Sequence, residues 1–583
     1  MNQKIITKII LLFLLTTLLP SFDLLGEIPQ VLFIKAQKDT VGLFEKWELS
    51  MNIKAEFNNP FDPGEIDISA KMISPSGASW NINGFYNYNS WQSLWSIRFS
   101  PNETGTWSYQ LFIKDKNGTN DSTKNTFVVK SSSSKGPVYI APNHRYLQYA
   151  DGSPYFGVGL WYNDGYAAYN KGQVSASVLD DLQKLGVNFI SSFITPFETE
   201  GSGLGRYDQT ICGRLDEVLN MLEERDMQLS LNLWFHAYLS ETVWPGGNKR
   251  WNSNPYKQIT AAKDFYRSEE AWKYQEQMYR YMIARYSYSK SLMLWFVIDE
   301  VNGTDGWASG DSLQAAVWGK KVHDYFKKND PYQHLTTGTR SGGIGEYWHE
   351  GYQVFDLPSR EIYEAQGFPI LKEGKINPGD EHPLTLSYLN YAGQVNKLWT
   401  NYTKPAIIGE TGWDHTFYEP GMPGYLAMYH NALWVSMASG SAMTPFWWAY
   451  SGYLNDNIIT NQIRSVSRFT KEIPFSRLTH VKPLDSISGG KNAFAISSDQ
   501  LIFGWLVNPD ADVANAEVKI STGNNDNATY KLRIYHTWRG MFLQDSDIQA
   551  INGEISFMVP SVKIEGGQGR YIGQDVAFIL EKK

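Results

Sequence analysis

The sequence predicts a multidomain protein in which a central (β/α)8 TIM barrel is flanked by an N-terminal and a C-terminal β-sandwich domain. Three observations carry that expectation. The two outer regions alternate apolar and polar residues with a period of two, as half-buried strands do, while the middle region alternates apolar runs with amphipathic helices, as parallel sheets with crossover helices do. At 583 residues the chain also exceeds the size at which one hydrophobic core keeps growing.

The elements follow in order. Lys4 and Lys8 precede an apolar stretch from Ile9 to Leu19, the layout of a secretory signal peptide over residues 1–26. That stretch is too short and wrongly flanked for a membrane span, so the expectation is a secreted, periplasmic or cell-surface bacterial protein with no stable membrane insertion after signal removal. Cys212 is the single cysteine, which rules out an internal disulfide and a cysteine-rich zinc site. Over residues 27–130, Trp47, Leu49, Met51, Ile53, Ala55 and Phe57 alternate strictly, and Ile66–Ile68–Ala70–Met72 and Trp107–Tyr109–Leu111–Ile113 repeat the pattern. Turn signals such as "SPSG" and "DKNG" separate the runs, giving a small Ig-like antiparallel sandwich. "SSSSKGP", residues 131–137, is a linker by composition.

From 138 to 470 the rhythm changes. "PYFGVGLWY" reads as a first strand; Val178, Leu179, Leu182 and Leu185 at helical spacing lead into "VNFISSFI"; Leu215, Val218, Leu219 and Leu222 lead into "MQLSLNLWFH". A third helix carries Trp272, Tyr279, Met282, Ile283 and Tyr286 on one side and delivers "LMLWFVIDE". "HLTTGT", "YQVFDLPS", "KPAIIGE" and "SAMTPFWW" complete eight strands over about 300 residues, the count and length of a (β/α)8 barrel. An open doubly wound sheet fits less well, because no glycine-rich phosphate loop follows the first strand. Short strands return over 471–583, from "NAFAIS" to "DVAFILE", as a second sandwich.

Composition narrows the partner. A net charge of -8 supplies no basic stripe for phosphates, which argues against nucleic acid. An aromatic fraction of 15%, with 21 Trp and 35 Tyr, suits β-rich packing and also stacking on the apolar faces of sugars.

In such a barrel the active site lies at the C-terminal ends of the strands, so polar residues that end apolar strands are the candidates. Glu300 closes the fourth strand and Glu410 the seventh; His236 ends the third, Tyr363 follows the sixth, and Trp447 and Trp448 close the eighth. Two carboxylates facing one aromatic cleft are the minimal apparatus for cleaving a glycosidic bond, with retention at a separation of about 5 to 5.5 Å and inversion at about 6.5 to 9.5 Å. Asp299 stands beside Glu300, and Gly303 is expected to let the chain turn away. Asp305 and Asp311 do not match a calcium loop, and no metal or cofactor is expected.

On these residues the middle domain resembles the retaining glycoside hydrolases of clan A. The resemblance implies that Glu300 is the acid/base and Glu410 the nucleophile, that Tyr363 hydrogen-bonds the nucleophile and keeps it ionised, and that His236 and Trp447 or Trp448 line the sugar subsite. Trp161, Trp234 and Trp413 then read as sugar-stacking platforms, with Trp244, Trp251, Trp307 and Trp348 as further candidates. "IRFSPNETGTWSYQLFI" is similar to the N-terminal sandwich module of uncharacterised function in exported bacterial polysaccharide-degrading enzymes. The chain departs from the pattern where Asn is usual before the acid/base, since Asp299 stands there; Ser191 and Glu361 likewise replace an expected arginine and histidine. The expected activity is retaining, endo-acting hydrolysis of a β-linked polysaccharide or oligosaccharide. A non-catalytic carbohydrate-binding surface protein, or an exo-glycosidase on a short unusual glycan, stands as the alternative.

Overall fold

The structure is a computed structural model that describes residues 26–89, 92–162, 174–193, 202–243, 249–341, 347–363, 383–412, 425–449, 457–484, 487–488, 492–507, 516–522, 527–562 and 575–583. Eight parallel strands close into a barrel: β1 (Gly159–Tyr162), β2 (Phe189–Phe193), β3 (Gln228–Phe235), β4 (Leu292–Asp299), β5 (Leu335–Gly338), β6 (Leu357–Tyr363), β7 (Ile407–Gly412) and β8 (Trp447–Ala449). The ring closes where Leu160 pairs with Trp447 and Trp161 with Trp448. Every residue of β2, β3, β4 and β7 is buried, and β4 accordingly reads as a near-continuous apolar run.

A helix follows each strand: α1 (Ala176–Leu185), α2 (Gln209–Glu223), α3 (Glu269–Tyr286), α4 (Ser312–Asn329), α5 (His349–Val354), α6 (Pro383–Asn401), α7 (Tyr425–Ala438) and α8 (Asn457–Thr470). Local chemistry sets their ends. The Ser268 side chain accepts from Ala271 N–H to start α3, and Glu269 and Glu270 lie in its first turn, where the helix dipole favours negative charge. Gly186 stops α1 at φ 88°, and a Cβ there would meet Ser467 Oγ at 2.1 Å, so only glycine fits.

Two strand expectations need correction. In "PYFGVGLWY" the first two residues belong to a separate three-stranded sheet with Val138–Ile140 and Leu147–Tyr149, and β1 begins only at Gly159. In "YQVFDLPS" the first three residues are the end of α5, and β6 starts at Leu357. Short apolar runs fit either period, and Asp356 decides the boundary: its carboxylate accepts from the backbone N–H of Thr336 at 2.9 Å, tying the start of β5 to the approach to β6.

The N-terminal region is two sheets, of four and six strands, packed face to face. Trp47, Leu49 and Met51 point into its core, with Trp47 stacked on Phe127 at 4.5 Å; the strand ends at Lys54, before Ala55 and Phe57. The C-terminal region likewise contains a six-stranded and a three-stranded sheet. Among the described residues no helix is long and apolar enough to cross a membrane; the expected signal, residues 1–26, falls outside them apart from Gly26.

Candidate active site

β4 carries apolar side chains into Asp299 and hands the chain to Glu300, whose φ of 44° and ψ of 57° place it in the left-handed region. The turn away from the barrel is therefore made by Glu300 itself; Gly303 closes the next turn by donating its N–H to Glu300 O at 2.7 Å. This corrects the expectation for Gly303. A non-glycine residue in this conformation costs about 1–2 kcal/mol, tolerated where surrounding structure fixes it. Here Glu300 N–H donates to Thr339 Oγ1 at 3.1 Å and to Glu361 Oε1 at 3.3 Å.

The two adjacent acids are placed differently. Glu300 keeps 12% of its side chain exposed and Asp299 only 2%. His236, directly after β3, sets its Nδ1 3.1 Å from Glu300 Oε2 and 3.2 Å from Asp299 Oδ2. Burial works against a charge on that imidazole, but Glu300 and Asp299 outweigh it and raise its pKa.

Glu410 lies inside β7, and Tyr363 at the end of β6 donates its phenolic O–H to Glu410 Oε1 at 2.6 Å. Glu361, two residues before Tyr363 and so on the same face of β6, accepts from Thr339 Oγ1. Asp299, Glu361 and Glu410 each bring a carboxylate oxygen within 4.8 Å of the others. Burial raises the pKa of Glu410 well above the usual carboxylate range, and Asp299 and Glu300 add to the effect against the pull of Tyr363. Glu361 is pushed up in the same direction, first by burial and then by Glu410, Glu300 and Asp299. Asp299 rises through burial, against the counter-pull of His236. The three oxygens are close enough to ligate a cation, but such an ion would occupy Glu410.

The tryptophans divide by strand parity. Trp448 faces inward, 5.7 Å from Trp161, and is partly exposed. Trp161 lies beneath it, fully buried, with its indole N–H donating to Gly409 O at 2.9 Å. Trp234 packs among Tyr256 and Phe265 and donates to Tyr279 O–H at 2.7 Å, while Trp447 packs on Tyr429 of α7. Trp161 and Trp234 therefore offer no ring face to a sugar, which corrects their expected role as platforms, and of the two candidates for the sugar subsite Trp447 is buried and Trp448 is the partly exposed one. Trp251 and Trp348 are buried as well. Trp413 and Trp244 lie outside the described residues. Glu361, a departure from the resembled pattern, and Thr339 join the site in the structure; the two-residue spacing of Glu361 and Tyr363 is the sequence signal for the first. Asp305 and Asp311 have structural roles: Asp305 accepts from Glu241 and Thr242, and Asp311 caps α4 and pairs with Arg267 at 2.6 Å.

Residues 40–114 match a family described as a domain of unknown function, DUF5060. No curated protein matches the sequence. Among solved structures, a candidate glycoside hydrolase from Bacteroides vulgatus aligns at a TM-score of 0.64 with 16% identity, covering 94% of this chain and 100% of that one. A glycoside hydrolase family 5 structure from Bacteroides vulgatus aligns at 0.52 with 14% identity, covering 77% of this chain and 94% of its own. A third, described as a glycoside hydrolase, aligns at 0.50 with 14% identity over 77% of this chain and 97% of its own. At these identities the likeness is one of fold: a closed eight-stranded parallel barrel with additional sheet domains at both ends.

Proposed function

We propose that the protein is an exported retaining glycoside hydrolase that cleaves β-linked polysaccharide from within the chain. The observation that carries this reading is the pairing of Tyr363 O–H with Glu410 Oε1 at 2.6 Å, with Glu361 lying against both Glu300 and Glu410. A carboxylate gripped by a phenol on one side is aimed for attack.

In the first step Glu410 forms a bond to the anomeric carbon as the glycosidic C–O bond breaks, and the Glu300 proton passes to the departing oxygen. In the second, water gives a proton to Glu300 and its oxygen to the anomeric carbon, releasing Glu410. Glu300 suits the proton-shuttling role because it is the acid of the adjacent pair that reaches open space. Trp448, on the strand that pairs with the Glu410 strand, supplies a partly exposed indole for stacking on a sugar. Tryptophans outside the described residues, Trp244 and Trp413, fall in sequence in the loops that follow β3 and β7 and favour an extended glycan.

The test is a panel of purified β-linked glycans. Oligosaccharide products of mixed length whose new reducing ends first appear as the β-anomer support the reading. Binding without new reducing ends overturns it in favour of a carbohydrate-binding protein, and release of single terminal sugars overturns endo action.

A further inference from the structure

The polar atoms around Glu410 do not balance if every acid is ionised. Asp299 Oδ2 meets His236 Nδ1, and Glu361 Oε1 accepts from Thr339 Oγ1 and from Glu300 N–H. The second oxygens, Asp299 Oδ1 and Glu361 Oε2, are buried without a hydrogen-bond partner. Both residues are 1% exposed, so bulk solvent does not reach these oxygens. The two side chains nonetheless bring a carboxylate oxygen each within 4.8 Å of one another. Two carboxylates only accept, so a bond between them exists only when one carries a proton.

We propose that Asp299 and Glu361 hold one proton between them at neutral pH, and that this acid pair is a positioning device presenting an O–H donor beside Glu410. The groups that act most strongly on Asp299 are His236, Glu300 and Glu361, and those on Glu361 are Glu410, Glu300, Asp299 and the Thr339 hydroxyl. Besides the pair itself these are two carboxylates, Glu300 and Glu410, against one imidazole, so the field favours keeping a proton in the cluster. Like-charged acids in contact share protons for the same reason in other buried dyads. The consequence falls on Glu410. With a proton on the pair, part of the negative field that opposes its ionisation disappears, and Glu410 is left free to be the charged member. A protonated carboxyl also offers one donor and one acceptor on a planar group, the same pattern as a carboxamide.

The shared proton is argued from the burial, closeness and unpartnered oxygens of the two acids and from the charges around them; only its effect on turnover rests on the glycosidase reading. Infrared difference spectra of the full chain at pH 7 test it directly. A protonated-carboxyl C=O band in the wild type, lost in both Asp299→Asn and Glu361→Gln, is expected. Absence of any band that these substitutions remove overturns the proposal. So does stabilisation by calcium alone after chelation that Glu361→Gln abolishes, because a cation would then occupy the place of the proton. Thermal unfolding supplies a second reading. A carboxyl held protonated in the fold costs stability as pH rises through its folded pKa, so the melting temperature of Glu361→Gln should gain on the wild type between pH 5 and pH 9. Parallel curves overturn the pair, and Asp299→Asn serves the same comparison if Glu361→Gln does not fold. If no glycan is cleaved, the function fails while the band and the melting curves still decide this question. Where activity is found, Asp299→Asn should shift the alkaline limit of kcat/KM upward, which loss of packing alone would not do.

Discussion

Glu300 combines two demands that pull against each other: it must hold a left-handed backbone and keep a carboxyl in the cleft. Replacing it by glycine should relieve the backbone cost of about 1–2 kcal/mol, so Glu300→Gly should melt higher than Glu300→Ala although neither keeps the acid. Both should lose about 10²- to 10⁴-fold in kcat on natural glycan and far less on substrates with good leaving groups. Full activity of Glu300→Ala on natural glycan would remove this residue from the mechanism. Tyr363→Phe deletes the donor to Glu410; a bond to a charged group is worth about 1.5–3 kcal/mol, so kcat/KM should fall roughly 10- to 100-fold. The carboxylate loses a stabilising partner, its pKa moves further up, and the acidic limit of the rate profile should shift to higher pH. At this scale the sequence showed which strand ends carry Glu300, Glu410, His236 and Tyr363, because each interrupts an apolar run. It did not show that Trp234 and Trp447 face the helices, since which way a strand side chain points depends on the register around the ring. Nor did it show Asp299 and Glu361 meeting, because they come from strands β4 and β6 and only closure of the barrel brings them together.

The elements that were easiest to read are those buried on both faces. β4 is an apolar run broken only by Asp299 at its end, and β7 enters on Ile407 and Ile408 before Glu410 and Thr411, so their identity and their functional ends were visible together. The approach to β6 is not legible locally, because three residues of "YQVFDLPS" complete a short helix and Asp356, just beyond it, is held by Thr336 of β5, a partner the local sequence does not reveal. Close packing within the barrel gives a further test. A Cβ at Gly409, next to Glu410, would stand 2.2 Å from Ser359 Oγ and 2.8 Å from Thr339 Cγ2. Gly409→Ala should therefore cost about 1–3 kcal/mol and lower the melting temperature. It should also lower kcat, because Thr339 is the residue that steadies both Glu300 and Glu361.

Across the whole molecule, buried polar networks join the flanking regions to the barrel. Arg98 of the N-terminal sandwich donates to Glu48 at 2.9 Å and to Asp216 of α2 at 2.5 Å, and Arg285 of α3 donates to the same Asp216 at 2.7 Å. Burial opposes a charge on Asp216, but the two guanidinium groups outweigh it and lower its pKa. Asp216→Ala would leave two buried cations without their shared partner, and a loss of about 3–5 kcal/mol in denaturant unfolding is expected. At the other end, Asp575 of the C-terminal sheet meets His430 of α7 at 2.8 Å, Trp505 at 2.7 Å and Thr537 and Trp538 at 2.6 Å. Burial again opposes the charge, yet His430 and these donors depress the Asp575 pKa. Its contribution is therefore present above the unfolded value of about 3.9 and lost as pH falls through the folded one. Acid unfolding should be shallower in Asp575→Asn than in the wild type.

Those two networks also govern how the chain can be divided. A barrel expressed without its sandwiches would expose Asp216 and Arg285 on one side and His430 on the other, each stripped of partners that composition alone assigns to separate domains. Calorimetry of the full chain should accordingly show one cooperative transition rather than three, and attempts to trim the protein to its barrel should give insoluble material.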